Sequence, residues 1–370
     1  MVLLKILNLR RTTLTTLTRA VVTLYPAFGR IPEIVQIARL PAIRERPMTF
    51  IKAISGAVVA ACLATATWAE TPTLRAAVLK FGTVNWELNT ISHNGFDTAN
   101  GFNLEVEGVA GSSAALIAFQ AGETDVIVSD WLWVARQRAA GKDFVFVPYS
   151  KAVGGILVPD DSTAQNLSDL EGLKVGIAGG PLDKSWLILQ AYAEKNHDMS
   201  LADDTEQVFG APPLIFGASM SGELDAAINF WHFGAKMQAG GMRTLLSVED
   251  AAMDLGLDPE TPLLGYVFHG DMLRDHPELV NGMATASRAA KDLLTTSDAE
   301  RDRLRDNMNA DDDAQFNALV AGFRAGIPAP GPIDEEAASR MLTLMYDLGG
   351  AELLGDANEL PSGTFVQSGS

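Results

Sequence analysis

From Leu74 onward the chain alternates short β-branched and apolar runs with longer stretches of helical period, which is the pattern of an α/β sheet. "TLRAAVLKFG" predicts a first strand, and "NWELNTISHNGFDTANG" a helix ending in Gly and Asn turns. In "FNLEVEGVAG" Leu104 and Val106 alternate with Glu105 and Glu107, predicting a second strand. "SSAALIAFQAGE" predicts a helix capped by Ser112 or Ser113. "TDVIVSD" is apolar enough for a strand buried on both faces. A helix containing Arg136 and Arg138 follows, and then the strand "DFVFVPYS".

A second α/β run then begins. "GGILVP" predicts a strand, "LSDLEG" a short helical turn, and "LKVGIAGG" a buried strand leading into the helix "PLDKSWLILQAYAEKN", with Pro181 near its first turn. "TEQVFGA", "PPLIFGASMSGE" and "LDAAINFWHFGAKMQAGG" continue the alternation, and "MRTLLSVED" and "TPLLGYVFHG" predict two more strands. From about Asp271 to Gly349 the period is helical, and the tail "PSGTFVQSGS" reads as loosely held.

The two runs resemble each other. "AGETDVIVSDWLW" and "SGELDAAINFWHF" share a small residue, Gly, Glu and Asp, a buried strand, then a polar residue and aromatics. In open α/β sheets ligands bind outside the carboxyl ends of the strands. Asp130, Trp131 and Trp133 of one half and Asn229, Phe230, Trp231 and His232 of the other therefore occupy equivalent rims, which line one cleft if the halves face each other.

The start of the chain has a different character. From Met48, "MTFIKAISGAVVAACLATATWAE" has Lys52, an apolar run of small residues, and Thr67 and Ala69 spaced as a cleavage site, so residues 48–69 read as a signal peptide. Residues 1–47 hold seven arginines and one lysine against Glu33 and Glu45, and read as a mis-assigned or disordered extension, or else as a basic amphipathic one. Cleavage after Ala69 leaves 301 residues, enough for two lobes. The leader region holds 9 of the 28 basic and 2 of the 46 acidic residues, which leaves 19 against 44 and a net charge of −25. Such a surface repels phosphate backbones, so no nucleic-acid partner is expected. The only cysteine, Cys62, lies in the leader, so the mature chain has neither disulfide nor thiol chemistry. "VAAC", ending at Cys62, also resembles a lipoprotein processing site, which would anchor the protein to a membrane.

Four segments, in order and spacing, resemble the solute-binding proteins of ABC importers of the nitrate, sulfonate and taurine type, a family that includes binders of thiamine-pyrimidine precursors. They are "ALIAFQAGETDVIVSD" from Ala115, "LSDLEGLKVGIAGG" from Leu167, "SGELDAAINF" from Ser221 and "VFHGDMLRDHPELVNGM" from Val267. The resemblance covers nearly all of Leu74 to Leu348. It implies a bilobed α/β structure, the periplasmic-binding-protein type II fold, with two lobes joined by crossover hinge strands. It also implies a periplasmic protein that hands a small-molecule ligand to an inner-membrane ABC permease; a monomer with no cofactor and no enzymatic activity is expected. On this reading lobe I comprises 72–152 and 270–355, lobe II 153–269, and 356–370 a tail; the hinges fall near Ser150–Gly154 and Gly265–Gly270. "SDWLW" and "GGPLDKSW" depart from the common family pattern at the cleft, so nitrate or taurine does not transfer as the ligand.

Five tryptophans remain after cleavage, and all fall just after predicted strands. Trp86, Trp131, Trp186 and Trp231 are candidate ligand walls, although tryptophans here also pack under loops; Trp133 reads as packing. Gly179, Gly180 and Lys184 at a helix start suit an anion, with Asp183 as helix cap or ion-pair partner. Asp130, among aromatic rings, either receives an amine or caps the next helix. The candidate binding set is thus Trp86, Asp130, Trp131, Gly180, Lys184, Trp186, Asn229, Phe230, Trp231 and His232, with no metal ligands. The five histidines have no metal spacing, and HExxH, GxSxG, the phosphate loop and the dinucleotide fingerprint are all missing. "NADDDAQ" lacks the glycine of a calcium loop. His232 reads as a hydrogen-bonding wall residue rather than a general base. The competing readings are a pyrimidine-precursor binder or synthesis enzyme and a membrane-anchored accessory or sensor lipoprotein.

Overall fold

In a computed structural model, residues 71–366 are described. The proposed leader, its cleavage site and Cys62 lie outside them. Labelled elements run in chain order as β1 (Thr73–Leu79), α1 (Val84–Asn94), β2 (Asn103–Val109), α2 (Ser112–Gln120), β3 (Val126–Asp130), α3 (Trp131–Ala139), β4 (Phe144–Ser150) and β5 (Gly155–Pro159). They continue as β6 (Lys174–Ala178), α4 (Lys184–His197), β7 (Glu206–Gly210), α5 (Pro212–Met220), β8 (Ala226–Ile228), α6 (Trp231–Ala239), β9 (Met242–Ser247), α7 (Val248–Asp254) and β10 (Leu264–His269). The last three are α8 (Pro277–Thr296), α9 (Asp313–Ala325) and α10 (Glu335–Leu354). Short helical turns between them carry no label.

The strands form two five-stranded sheets in the orders β2-β1-β3-β10-β4 and β7-β6-β8-β5-β9. In each sheet four strands share one direction and a single strand, next to the edge, runs against them. β10 runs antiparallel to both β3 and β4, and β5 antiparallel to both β8 and β9. The apolar runs predicted to be buried on both faces are so: Val126, Ile127, Val175 and Ile177 are fully buried. The chain passes between the sheets twice, after Ser150 and again before Leu264.

That second passage corrects the sequence-based boundary. Gly265 lies inside β10, opposite Ser129 of β3 and Pro148 of β4. Residues 264–269 thus belong to the sheet of lobe I, and the crossover precedes Leu264 rather than occupying Gly265–Gly270. A central strand held by neighbours on both sides cannot serve as a hinge. The helix starts differ too. α2 has Gly111 at its cap without a side-chain bond, and α4 begins at Lys184 with Asp183 as its cap, leaving Pro181 before the helix.

The tail is also not loose. Phe146 N–H donates to Thr364 O at 2.8 Å, Val366 N–H donates to Phe146 O at 2.9 Å, and Phe365 is buried against Trp131 and Phe146. Burying a phenyl ring contributes about 1.5–3 kcal/mol, enough to hold a short segment lacking helix or strand of its own.

Apolar clusters run from lobe to lobe on two flanks. On one, Met341, Leu342 and Met345 of α10 share a core with Trp131 and Leu132 of α3 and with Trp186 and Ile188 of α4. On the other, Trp231 and Ala235 of α6 pack with Trp86 and with Phe316, Leu319 and Phe323 of α9. Within lobe I a buried ion pair joins Glu87 of α1 to Lys291 of α8. Tyr266 O–H donates to Glu87 at 2.6 Å, Lys291 donates to Ser287 Oγ at 2.7 Å, and the ammonium lies 4.8 Å from the Tyr149 ring. Burial pushes Lys291 below the usual lysine range despite the opposing charge of Glu87.

Candidate functional site

The pairing registers locate both rims. Asp130 faces Leu264 and Leu264 faces Ser150, while Ile156 faces Ile228 and Gly155 faces Ser247. The ends of β3 and β4 and the start of β10 therefore meet the ends of β8 and β9 and the start of β5 across the two crossovers. Around them lies a cavity of about 480 Å³. Lobe I contributes Leu132, Ala318, Ala321, Gly322, Met341 and Met345, with Lys151 at the start of the first crossover; lobe II contributes Lys184, Ile188, Trp231, Ala235, Gln238, Thr244, Ser247, Val248 and Glu249. The crossovers add Ala152, Val153, Gly154, Asp258, Pro259, Thr261 and Leu263. The volume falls within the range of small-molecule pockets, roughly 300–1,000 Å³.

Two glycines permit the close approaches that shape this space. A Cβ at Gly154 would lie 2.3 Å from the Asn229 carbonyl oxygen, so the first crossover can run directly beneath the joint between β8 and α6. A Cβ at Gly322 would lie 2.6 Å from the Trp231 ring, so only glycine lets α9 close onto that indole. Ala318, Ala321, Gly322 and Ala325 form a small-residue face of α9 along the cavity.

Of the ten candidate residues, only Lys184 and Trp231 line the cavity. Trp131 and Trp186 are sealed in the inter-lobe core, at 0% and 2% exposure, and Trp86 is buried against α9 with Nε1–H donating to Asn307 O at 3.3 Å. These three indoles are core residues, because the helices beginning at the rims carry them back under α10 or α9 rather than toward the gap. Trp231 meets Trp86 edge-on at 6.0 Å and is the one candidate indole left facing the cavity. Asn229 donates from Nδ2 to Pro212 O at 3.0 Å and accepts from Phe230 N–H at 2.8 Å, so its amide ties rim loops together. Phe230 is 38% exposed outside the cavity, and Gly180 lies in the turn before α4.

Asp130 and Lys184 are partners rather than separate ends of a ligand site. Asp130 Oδ1 accepts from Trp133 N–H at 2.9 Å, capping α3, while Oδ2 lies 3.0 Å from Lys184 Nζ across the rims. Burial opposes the charge of Lys184, but attraction and hydrogen bonding to Asp130 outweigh it and leave its pKa raised. Asp183 caps α4 by accepting from Trp186 N–H at 3.1 Å, and burial pushes its carboxyl up. His232 is buried with Nε2 lacking a partner; burial, aided by Lys236, pushes its pKa down to about 3. A neutral, enclosed imidazole is a poor proton carrier near neutral pH.

Sequence reasoning missed Lys151, Glu249, Asp258, Met341 and Met345. Two signals were available: the spacing of Ala318, Ala321, Gly322 and Ala325, which marks a close helix approach, and the i, i+4 pair Met341 and Met345. Among the described residues no group of three or more His, Cys, Asp or Glu is placed to hold a metal, and no helix is long and apolar enough to cross a membrane.

Two facing α/β lobes, two crossovers and a cavity between them define a type II periplasmic-binding-protein fold. The family described as "NMT1/THI5 like" matches residues 90–299, more than half the chain, and the chain belongs to that family. Among solved structures it is similar to the periplasmic aliphatic sulphonate binding protein SsuA of Escherichia coli, with 20% identity, 80% of this chain and 96% of that one covered, and a TM-score of 0.60. It is also similar to the alkanesulfonate-binding protein SsuA of Xanthomonas axonopodis pv. citri bound to MOPS, with 17% identity, 81% and 100% coverage and a TM-score of 0.61. An ABC transporter structure from Parabacteroides distasonis reaches a TM-score of 0.63 at 11% identity, covering 81% of this chain and 100% of that one. No curated protein matches the sequence.

Proposed function

We propose that this chain is the exported substrate-binding component of an ABC importer, capturing a small polar nitrogen- or sulfur-containing organic molecule between its lobes and passing it to an inner-membrane permease. The observation that carries this reading is the cavity of about 480 Å³ whose walls come from both lobes and both crossovers. A guest there touches every part that moves when the lobes separate, so its binding energy bears directly on their relative position. The membership in the family and the sulfonate-binding function named for two of the similar proteins support the same reading.

Residues 48–69 act in this reading as the export signal, with the mature protein starting at Glu70 or anchored through Cys62. Mass analysis of the mature amino terminus separates the two. Binding is tested by a thermal-shift screen of small nitrogen- and sulfur-containing organics on the purified mature chain. Saturable stabilisation without turnover is expected, and a wild-type protein that no compound stabilises contradicts the proposal.

A further inference from the structure

Four charged side chains line the cavity: Lys151, Lys184, Glu249 and Asp258. Both cations are already matched within the chain. Lys184 lies 3.0 Å from Asp130, and Lys151 is ion-paired with Glu260. The carboxylates are not matched: among the described residues neither Glu249 nor Asp258 has a cationic partner, and Asp258 only accepts the backbone N–H of Glu260, at 3.0 Å. The site thus presents two uncompensated negative charges and no free positive one. An anionic guest would have to pull Lys184 from Asp130 or Lys151 from Glu260 while facing Glu249 and Asp258. A cation meets the opposite situation, and the Trp231 face adds an attraction suited to ammonium.

We infer, building on the reading of this cavity as the ligand site, that the ligand is an organic cation: an ammonium group on an apolar body rather than an oxyanion. The apolar body packs against Leu132, Ile188, Met341 and Met345. The charge is read by Glu249 and Asp258.

The test uses three probes of nearly equal shape on the mature chain, by calorimetry at pH 7: cyclohexylmethylammonium, cyclohexylmethanol and cyclohexanecarboxylate. The ammonium is expected to bind at least tenfold more tightly than the other two. Glu249→Gln lowers its affinity about fivefold, the effect of one partly screened charge, and leaves the alcohol unchanged. Carboxylate binding as tight as the ammonium's overturns the charge assignment alone, since the cavity would still hold a guest. Failure of all three to bind wild-type protein overturns this inference, and the cavity reading falls with it only when the broader thermal-shift screen also finds no stabilising compound.

Discussion

Asp130 at the end of β3 and Lys184 at the start of α4 are joined by a 3.0 Å ion pair that spans the two rims. The same carboxylate caps α3, so one side chain links a helix start in lobe I to a helix start in lobe II. Separation of the lobes along this line must break the pair.

Substitution can divide the two roles. Asn caps helices as well as Asp does, so Asp130→Asn keeps the bond to Trp133 N–H and removes only the ion pair. The expected loss is about 1 kcal/mol, weakening at high salt. Asp130→Ala loses the cap too, for roughly 1 kcal/mol more. Urea denaturation of the three proteins at low and high salt checks this, and equal stability of the Asn and Ala variants contradicts it.

Gly322→Ala forces a Cβ into the Trp231 ring. Because α9 and α6 are both anchored in the second inter-lobe cluster, the indole must turn or the helices part, at a cost of about 1–3 kcal/mol. The tryptophan emission of the variant should shift, since Trp231 is partly exposed on the cavity, Trp86, Trp131 and Trp186 are buried, and Trp133, also partly exposed, stacks on Phe144 away from the change.

His232 predicts a defined acid sensitivity. Its folded pKa of about 3 lies below the unfolded value near 6.5. Above pH 6.5 it is neutral in both states and costs nothing; as the pH falls from 6.5 toward 3 the unfolded chain takes up the proton first and stability is lost. The loss at pH 5 is about 2 kcal/mol. His232→Phe should show a smaller fall in stability between pH 7 and pH 5 than the wild type by that amount, measured as the change in urea midpoint.

Lys291→Met leaves Glu87 buried without its cation, and the expected cost is about 3–5 kcal/mol. Replacing both, as Glu87→Gln with Lys291→Met, should recover much of that loss. Thermal unfolding of the single and double variants reads the difference.

The sheets were legible in the sequence because "DVIVSD" and "KVGIAGG" carry the uninterrupted apolar character of buried parallel strands, and because the repeated "GE-x-D" joint marks equivalent rims. The cavity was less legible. A tryptophan after a strand signals a rim position, but the direction its ring takes depends on the helix packed above it. Trp131 and Trp186 turn inward because α10, more than 130 residues further along the chain, covers both. Lys184 and Asp130 read as opposite ends of a ligand because no local pattern reveals a pairing across 54 residues. Phe365 was misjudged for a similar reason: its flanking Gly and Ser suggested a free tail, whereas its burial depends on Phe146 and Trp131.

The most direct test of the inter-lobe site compares wild-type protein with Ala321→Trp, which places an indole in the cavity from the small-residue face of α9. In a thermal-shift screen of small organic molecules, compounds that stabilise the wild type in a saturable manner should leave Ala321→Trp unmoved. Equal stabilisation of both proteins would place the guest elsewhere and contradict the account.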